Sequence, residues 1–207
     1  MEHLIYTMGR SSQDGNMQGR LLMLLVFSIC FTRGSFRSCP TIPVQKNFTL
    51  SEFMGTWFEI ESLNTHLEKG DCITHTFSQS ADNWIYVNTT EKRDNGKRIL
   101  YMGKLSPANV NQAAKLQILL TEGVYMDFGP VQDQFTFIPY NVLATDFQNY
   151  SLIYSCTQHY FTPTIYAWIM SRGYQLEEST IKDLENILKT NGINIDKMQQ
   201  INQKDCP

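Results

Sequence analysis

Two carboxylates, Glu59 and Glu61, stand two residues apart in a β-rich run with Trp57. Side chains two apart on a strand share a face, and paired carboxylates on one face are what general acid–base chemistry needs. A buried charge also demands a partner, so the favoured reading is a hydrogen-bonded structural carboxylate, with Glu59 turned to the interior. The histidines, His3, His66, His75 and His159, are scattered. No serine or aspartate stands at triad spacing from them, and no metal-ligand spacing occurs. The expectation is therefore no catalytic residue and no metal. Of five cysteines, Cys30 falls in an apolar stretch near the N-terminus; Cys39, Cys72, Cys156 and Cys206 remain. An even number in an exported chain implies two disulfides, with three pairings open. Asn-x-Ser/Thr acceptors for glycans occur at Asn47, Asn88 and Asn149, which exposed surface must present.

The compartment follows from the elements around these residues. Residues 21–32 are apolar, preceded by Arg20 and followed by Gly34 and Ser35, the build of a secretory signal. Twelve residues at ~1.5 Å each cannot cross a ~30 Å hydrocarbon core. Residues 1–34 are expected to be the leader, with Met17 an alternative start, and residues 35–207 a single domain. Of 17 basic and 20 acidic side chains, four arginines and two acids lie in residues 1–38, which leaves 13 against 18, a net charge of −5. Nucleic acid is disfavoured as a partner, because phosphate binding wants clustered Lys and Arg. Only Lys92, Arg93, Lys97 and Arg98 cluster, and they read as a solvated hairpin loop.

Eight short β-rich runs cover residues 57–63, 72–78, 84–90, 98–105, 115–121, 135–145, 150–156 and 166–172. Turn residues separate them, among them Asp94-Asn95-Gly96, Ser106-Pro107, Gln148-Asn149 and Thr162-Pro163. Eight antiparallel strands in succession suit an all-β up-and-down barrel, which has no open edge and room for one small ligand. The period then turns helical: Ile181, Leu184, Ile187 and Leu188 make one stripe, Glu177 and Glu178 sit at its start, and Asn191-Gly192 stops it. One C-terminal helix should dock outside the barrel, followed by a strand-like run at 193–198.

Three short motifs at the proper distances carry a resemblance. Gly55-Thr56-Trp57 opens the first strand, Ala144-Thr145-Asp146-Phe147 lies between the sixth and seventh, and Arg172 ends the eighth. Together they resemble the signatures of the lipocalins, in which an arginine lies across the indole of a tryptophan that plugs the narrow end of the cup. Pro139-Tyr140, Asn149-Tyr150, Ile153 to Cys156, Ala167-Trp168-Ile169 and the ending Asp205-Cys206-Pro207 resemble the apolipoprotein D-like branch, with its lazarillo and bilin-binding insect members. The resemblance covers residues 39–207. Phe147 departs from it where a tyrosine is usual, and residues 122–134 are longer and more aromatic than expected.

The resemblance implies the pairings Cys39–Cys156 and Cys72–Cys206, and a secreted carrier of a fatty acid, sterol, retinoid or bilin with no other cofactor. With Trp168 inward as in the family, alternation brings Tyr166, Met170 and Arg172 to the same face. Tyr140 brings Val142 and Ala144, Phe77 brings His75 and Ile73, and Leu116, Ile118 and Leu120 share a face opposite Gln117. Thr89 adds a polar contact, and Cys72 and Asn88 point out. The candidate ligand-binding residues are Phe77, Thr89, Leu116, Ile118, Leu120, Tyr140, Val142 and Trp168; Gly55, Trp57, Thr145, Asp146 and Arg172 build the base. Some lipocalins are isomerases with an interior thiol, but paired cysteines leave none here. Val124, Tyr125, Met126 and Phe128 form an apolar rim suited to a membrane or receptor. No sequence feature fixes an oligomeric state.

Overall fold

The computed structural model describes residues 38–64, 70–80, 84–120, 125–126, 129–130, 137–159 and 162–206. The expected leader at 1–34, with Met17 and Cys30, lies outside the described residues, as do Val124, Phe128 and the strand ends expected at 121 and 135–136. Among the described residues, eight antiparallel strands in meander order close into a barrel: β1 (Gly55–Leu63), β2 (Asp71–Gln79), β3 (Ile85–Lys92), β4 (Arg98–Pro107), β5 (Lys115–Leu120), β8 (Phe137–Thr145), β9 (Tyr150–His159) and β10 (Thr162–Ser171). Pairing of β10 with β1 closes the wall, so neither edge is left for another chain to extend. Two further strands, β6 (Tyr125–Met126) and β7 (Gly129–Pro130), pair only with each other. A four-residue helix, α1 (Leu50–Phe53), precedes β1, and the longer α2 (Glu178–Thr190) follows β10 outside the barrel.

Helix α2 forms where the period required. Leu184 and Leu188 are buried against the wall, and Glu178–Lys182 and Glu185–Lys189 pair on the solvent side. Gly192 takes φ +79°, a left-handed conformation without penalty for glycine, and ends the helix. The strand after it is β11 (Met198–Gln200), later than the run expected at 193–198, because Ile193 is consumed in the core between helix and barrel. β11 has a specific task. β1 pairs with β2 only over Gly55–Phe58, then β2 diverges and β11 takes its place along Glu61–Leu63. At the split, the buried Gln203 amide donates to Glu59 O and Ile73 O, both at 2.8 Å, and bridges the two parting strands. The disulfide Cys72–Cys206 fixes that tail to β2, and Cys39–Cys156 fixes the N-terminal segment to β9.

Several strand bounds differ from the sequence reading for local reasons. Trp84 is 36% exposed and precedes β3, because its carbonyl closes the β2–β3 turn by accepting from Ser80 N–H. Pro163 is the second residue of β10 instead of a break before it, a position where proline's missing N–H is tolerated. Arg172 is the first residue past β10 instead of its last.

Two bulges matter more. In β1 the register with β10 slips between Glu59 and Glu61, and in β8 the register with β9 slips between Val142 and Ala144. An inserted residue reverses alternation beyond it. Glu59 therefore faces inward while Glu61 faces the C-terminal elements, where Gln200 reaches its carboxylate. They do not share a face, contrary to the parity expectation. Likewise Ala144 packs against the outer core, not inside the cup with Tyr140 and Val142.

Candidate functional site

The barrel is sealed at one end by its own side chains. Trp57 and Phe53 are fully buried with ring centroids 5.1 Å apart, and the indole Nε1–H donates to Phe53 O at 2.9 Å. The Arg172 guanidinium lies 3.7 Å from the Trp57 ring centroid, close enough for a cation–π contact. Its nitrogens donate to Phe147 O, Thr56 O and Glu52 O at 3.0–3.1 Å, so one planar fork ties β10, the β8–β9 turn, β1 and α1 together. Gly55 has φ +94°, and a Cβ there would come 3.3 Å from Arg172 Nη1; both the conformation and the close approach call for glycine.

The β8–β9 turn is held by one carboxylate. Asp146 Oδ1 accepts from the backbone N–H of Gln148, Asn149 and Tyr150 at 2.8–3.1 Å, and Oδ2 accepts from Asn149 Nδ2 at 2.7 Å. Partial burial alone would raise its pKa, but these donors outweigh it and hold the carboxyl below the ordinary aspartate value. Thr145 Oγ1 donates to Tyr150 O and accepts from Phe147 N–H. The turn's hydrogen bonds thus come from Thr145 and Asp146, and Phe147 needs no hydroxyl; its ring lies 5.8 Å from that of Phe48. Replacing Asp146 with alanine is expected to lower unfolding free energy by about 1.5–3 kcal/mol, the range for hydrogen bonds to a charged group. Urea denaturation at neutral pH measures it, and an unchanged midpoint would show that the turn holds without its cap.

Above the base the interior is apolar at first. Phe77, Leu116, Tyr140 and Val142 are buried in one cluster with Trp57, Val87, Leu105, Ile153 and Met170. Trp168 and Ile118 face the same cluster but are only half-buried. An inward side chain in a closed barrel keeps accessible surface only where the interior has room. Trp168 stacks on Tyr166 at 6.1 Å and approaches Tyr140 at 6.2 Å. Leu120 belongs to β5, opposite Gly103, and its side chain lies outside the described residues.

A hydrogen-bonded chain crosses the inner face of β1, β2 and β3. His75 Nε2 lies 3.0 Å from Glu59 Oε2, and His75 Nδ1 lies 2.9 Å from Thr89 Oγ1. Thr89 is therefore inward, bonded to His75. Burial pushes the Glu59 carboxyl up to about 8, the Ser62 hydroxyl partly offsets this, and Glu91 adds to the rise. Glu91, next inward on β3 after Thr89, is buried and takes Arg93, Tyr101 Oη and Gly70 N–H. The alternation Ile85, Val87, Thr89, Glu91 was the available signal for Glu91. Hydroxyl, imidazole and carboxylate in a row are also the parts of a hydrolytic triad. Here the strands fix the row, since Thr89 pairs directly with His75.

The expected glycan acceptors are placed as follows: Asn47 and Asn149 are exposed, and Asn88 is half-buried on β3 opposite the exposed Met102. Among the described residues no group of three or more His, Cys, Asp or Glu is arranged to hold a metal ion.

Comparison with known proteins places this geometry. The Lipocalin / cytosolic fatty-acid binding protein family model matches residues 54–205. Apolipoprotein D of Mus musculus is 36% identical over 170 residues, 82% of this chain and 84% of that protein. Insecticyanin-A of Manduca sexta is 31% identical over 156 residues, 73% of this chain and 78% of the relative. The solved structure of insecticyanin from the same species superposes with a TM-score of 0.64 at 26% identity, covering 80% of this chain and 86% of that one.

Proposed function

Because the chain belongs to the lipocalin family, we propose that it is a secreted carrier that holds one small hydrophobic ligand inside the barrel and does no chemistry on it. The observation that carries this reading is the half-buried state of Trp168 and Ile118 on the inner face of a closed wall, above a base that Trp57, Phe53 and Arg172 seal. A pocket walled by Ile118, Tyr140 and Trp168 over a floor of Phe77, Leu116 and Val142 has the usual composition of a small-molecule site, apolar with a few placed polar groups. Leu120 and Thr89 complete the proposed lining. Affinity would come mainly from buried apolar area at roughly 25 cal/mol per Å², which suits sterols, retinoids, bilins and fatty acyl chains alike.

Export is supported by Cys39, Cys72, Cys156 and Cys206 all being joined in disulfides, a state that persists in oxidising compartments. The same pairing leaves these four without the thiol an isomerase of this fold would use, and glycans are proposed at Asn47, Asn88 and Asn149. Mass spectrometry of organic extracts, from protein purified in native form from its source, tests the reading. A lipophilic molecule recovered near one per chain supports it; extracts matching those of an unrelated secreted protein purified alongside would remove it.

A further inference from the structure

Thr89 points into the cup, bonded to His75, so its neighbours in alternation on β3, Tyr86, Asn88 and Thr90, turn to the outer face of the wall. Asn88 pairs with Thr76 of β2 on one side and with Met102 of β4 on the other. Thr90 pairs with Thr74 and Leu100, and Tyr86 with Ser78 and Lys104. Asn88 thus stands at the centre of a patch with two unlike halves. On the β2 side the hydroxyls engage one another, Thr74 with Thr90 at 2.7 Å and Thr76 with Thr56 at 3.1 Å. On the β4 side the surface is apolar: Leu100 is 56% and Met102 49% exposed. Lys104 borders that half, its ammonium 5.2 Å from the Tyr86 ring centroid and 5.7 Å from that of Trp84. Large apolar side chains set together in water mark a contact surface.

The chain itself supplies what lies on it. Asn88, Thr89 and Thr90 form an Asn-x-Thr acceptor. Residues directly opposed on adjacent strands hold their Cβ atoms about 4.5–5.5 Å apart, and diagonal neighbours lie at about 7–8 Å. A sugar linked to the Asn88 amide nitrogen therefore starts beside Met102 and reaches Leu100. N-Acetylglucosamine has the matching build. Its ring offers a face of C–H groups and an acetamido methyl, which gain by leaving water over apolar side chains, while its hydroxyls stay at the edge, toward solvent and the threonines. Tyr86, two residues before Asn88 on the same face, borders the attachment point with an aromatic ring. A bulky branched sugar rooted at the centre of this face also keeps a flat partner chain off it.

We propose that the glycan on Asn88 folds down onto β4 and covers Leu100 and Met102, so that its first sugar is a packed part of the outer wall. This rests on the glycosylation proposed above and gives this acceptor a structural task.

Oxidation of Met102 reads the cover directly, because methionine sulfoxide forms where the thioether is accessible. Folded protein secreted from cultured eukaryotic cells is treated with dilute hydrogen peroxide, and peptide mass spectrometry follows both the occupancy of each acceptor and the rate at each methionine. Met102 is expected to oxidise at least about threefold faster in Asn88→Gln, and equally in Thr90→Ala, which removes the acceptor without touching Asn88. The half-buried Met198 on β11 should keep its rate in all of them. Enzymatic removal of the glycan from folded wild type gives the same comparison without a substitution, and trimming to the first N-acetylglucosamine should preserve most of the protection. Equal Met102 rates with and without the glycan would overturn the proposal. So would an empty Asn88 beside an occupied Asn47 or Asn149, which leaves the glycosylation reading standing. No glycan at any of the three acceptors would overturn both.

Discussion

Replacing Trp57 with alanine is expected to lower unfolding free energy by about 3–5 kcal/mol, the range for truncating a buried aromatic, and to drop Tm by roughly 6–20 °C for a domain of this size. The effect is large because three interactions end together. The indole is wholly buried against Phe53, its N–H satisfies Phe53 O, and its face receives the Arg172 guanidinium at 3.7 Å. Arg172 would keep its bonds to Phe147, Thr56 and Glu52 carbonyls but lose the surface that orients it. Trp84→Ala is the control, since that ring is 36% exposed and lies outside the core; its change should stay within about 0.5 kcal/mol. Thermal unfolding of the two variants side by side measures the difference. Equal losses would mean that the base is not what closes the fold.

The second large effect is a pH dependence of stability set by Glu59. Its carboxyl titrates near 8 in the folded chain, raised chiefly by burial, against an ordinary value of 4.5. Across that window the folded state binds the proton that the unfolded state has released, so stability must fall as pH rises. At about 1.36 kcal/mol per unit, the loss between pH 5 and 9 is on the order of 4 kcal/mol. Glu61, also raised by burial and by Glu185 on α2, adds in the same direction. Asp146 works oppositely: its lowered pKa gives stability that is present above the ordinary aspartate value and lost only as pH falls below it, outside this window. Glu59→Gln keeps a polar partner for His75 and removes the titrating group. Its urea midpoint should match wild type near pH 5 and exceed it near pH 9, with a flatter slope between. Parallel curves for the two proteins would show that Glu59 does not carry the dependence.

Where alternation held without interruption, the sequence was enough to orient side chains. Trp168 with Met170, Phe77 with His75, and Leu116 with Ile118 all fall on the faces that parity gives them, because their strands run unbroken there. Family likeness supplied what parity could not, the pairing of four cysteines and the meeting of Trp57 with Arg172 across 114 intervening positions of chain. The misplacements of Glu61 and Ala144 share one cause: a bulge is a property of two strands in register, and neither strand alone announces it. The β11 addition was displaced for a similar reason, since its position depends on where β2 leaves β1. The polar chain Glu59–His75–Thr89 is non-local as well. It joins three strands, and only the cross-strand pairing of His75 with Thr89 and the diagonal reach to Glu59 bring it together. The interior is consequently more polar than the apolar cup that alternation suggested.

The claim on which the rest depends is that a ligand enters the barrel and lies against Trp168. Tryptophan emission during titration with retinol, compared between wild type and Trp168→Phe, tests it most directly, with calorimetry confirming that both proteins still bind. The wild type should be quenched on saturation, and most of that amplitude should vanish in Trp168→Phe, since Trp57 is sealed in the base and Trp84 lies outside the wall. Quenching of equal depth in both proteins would place the ligand on the outer surface and contradict the account.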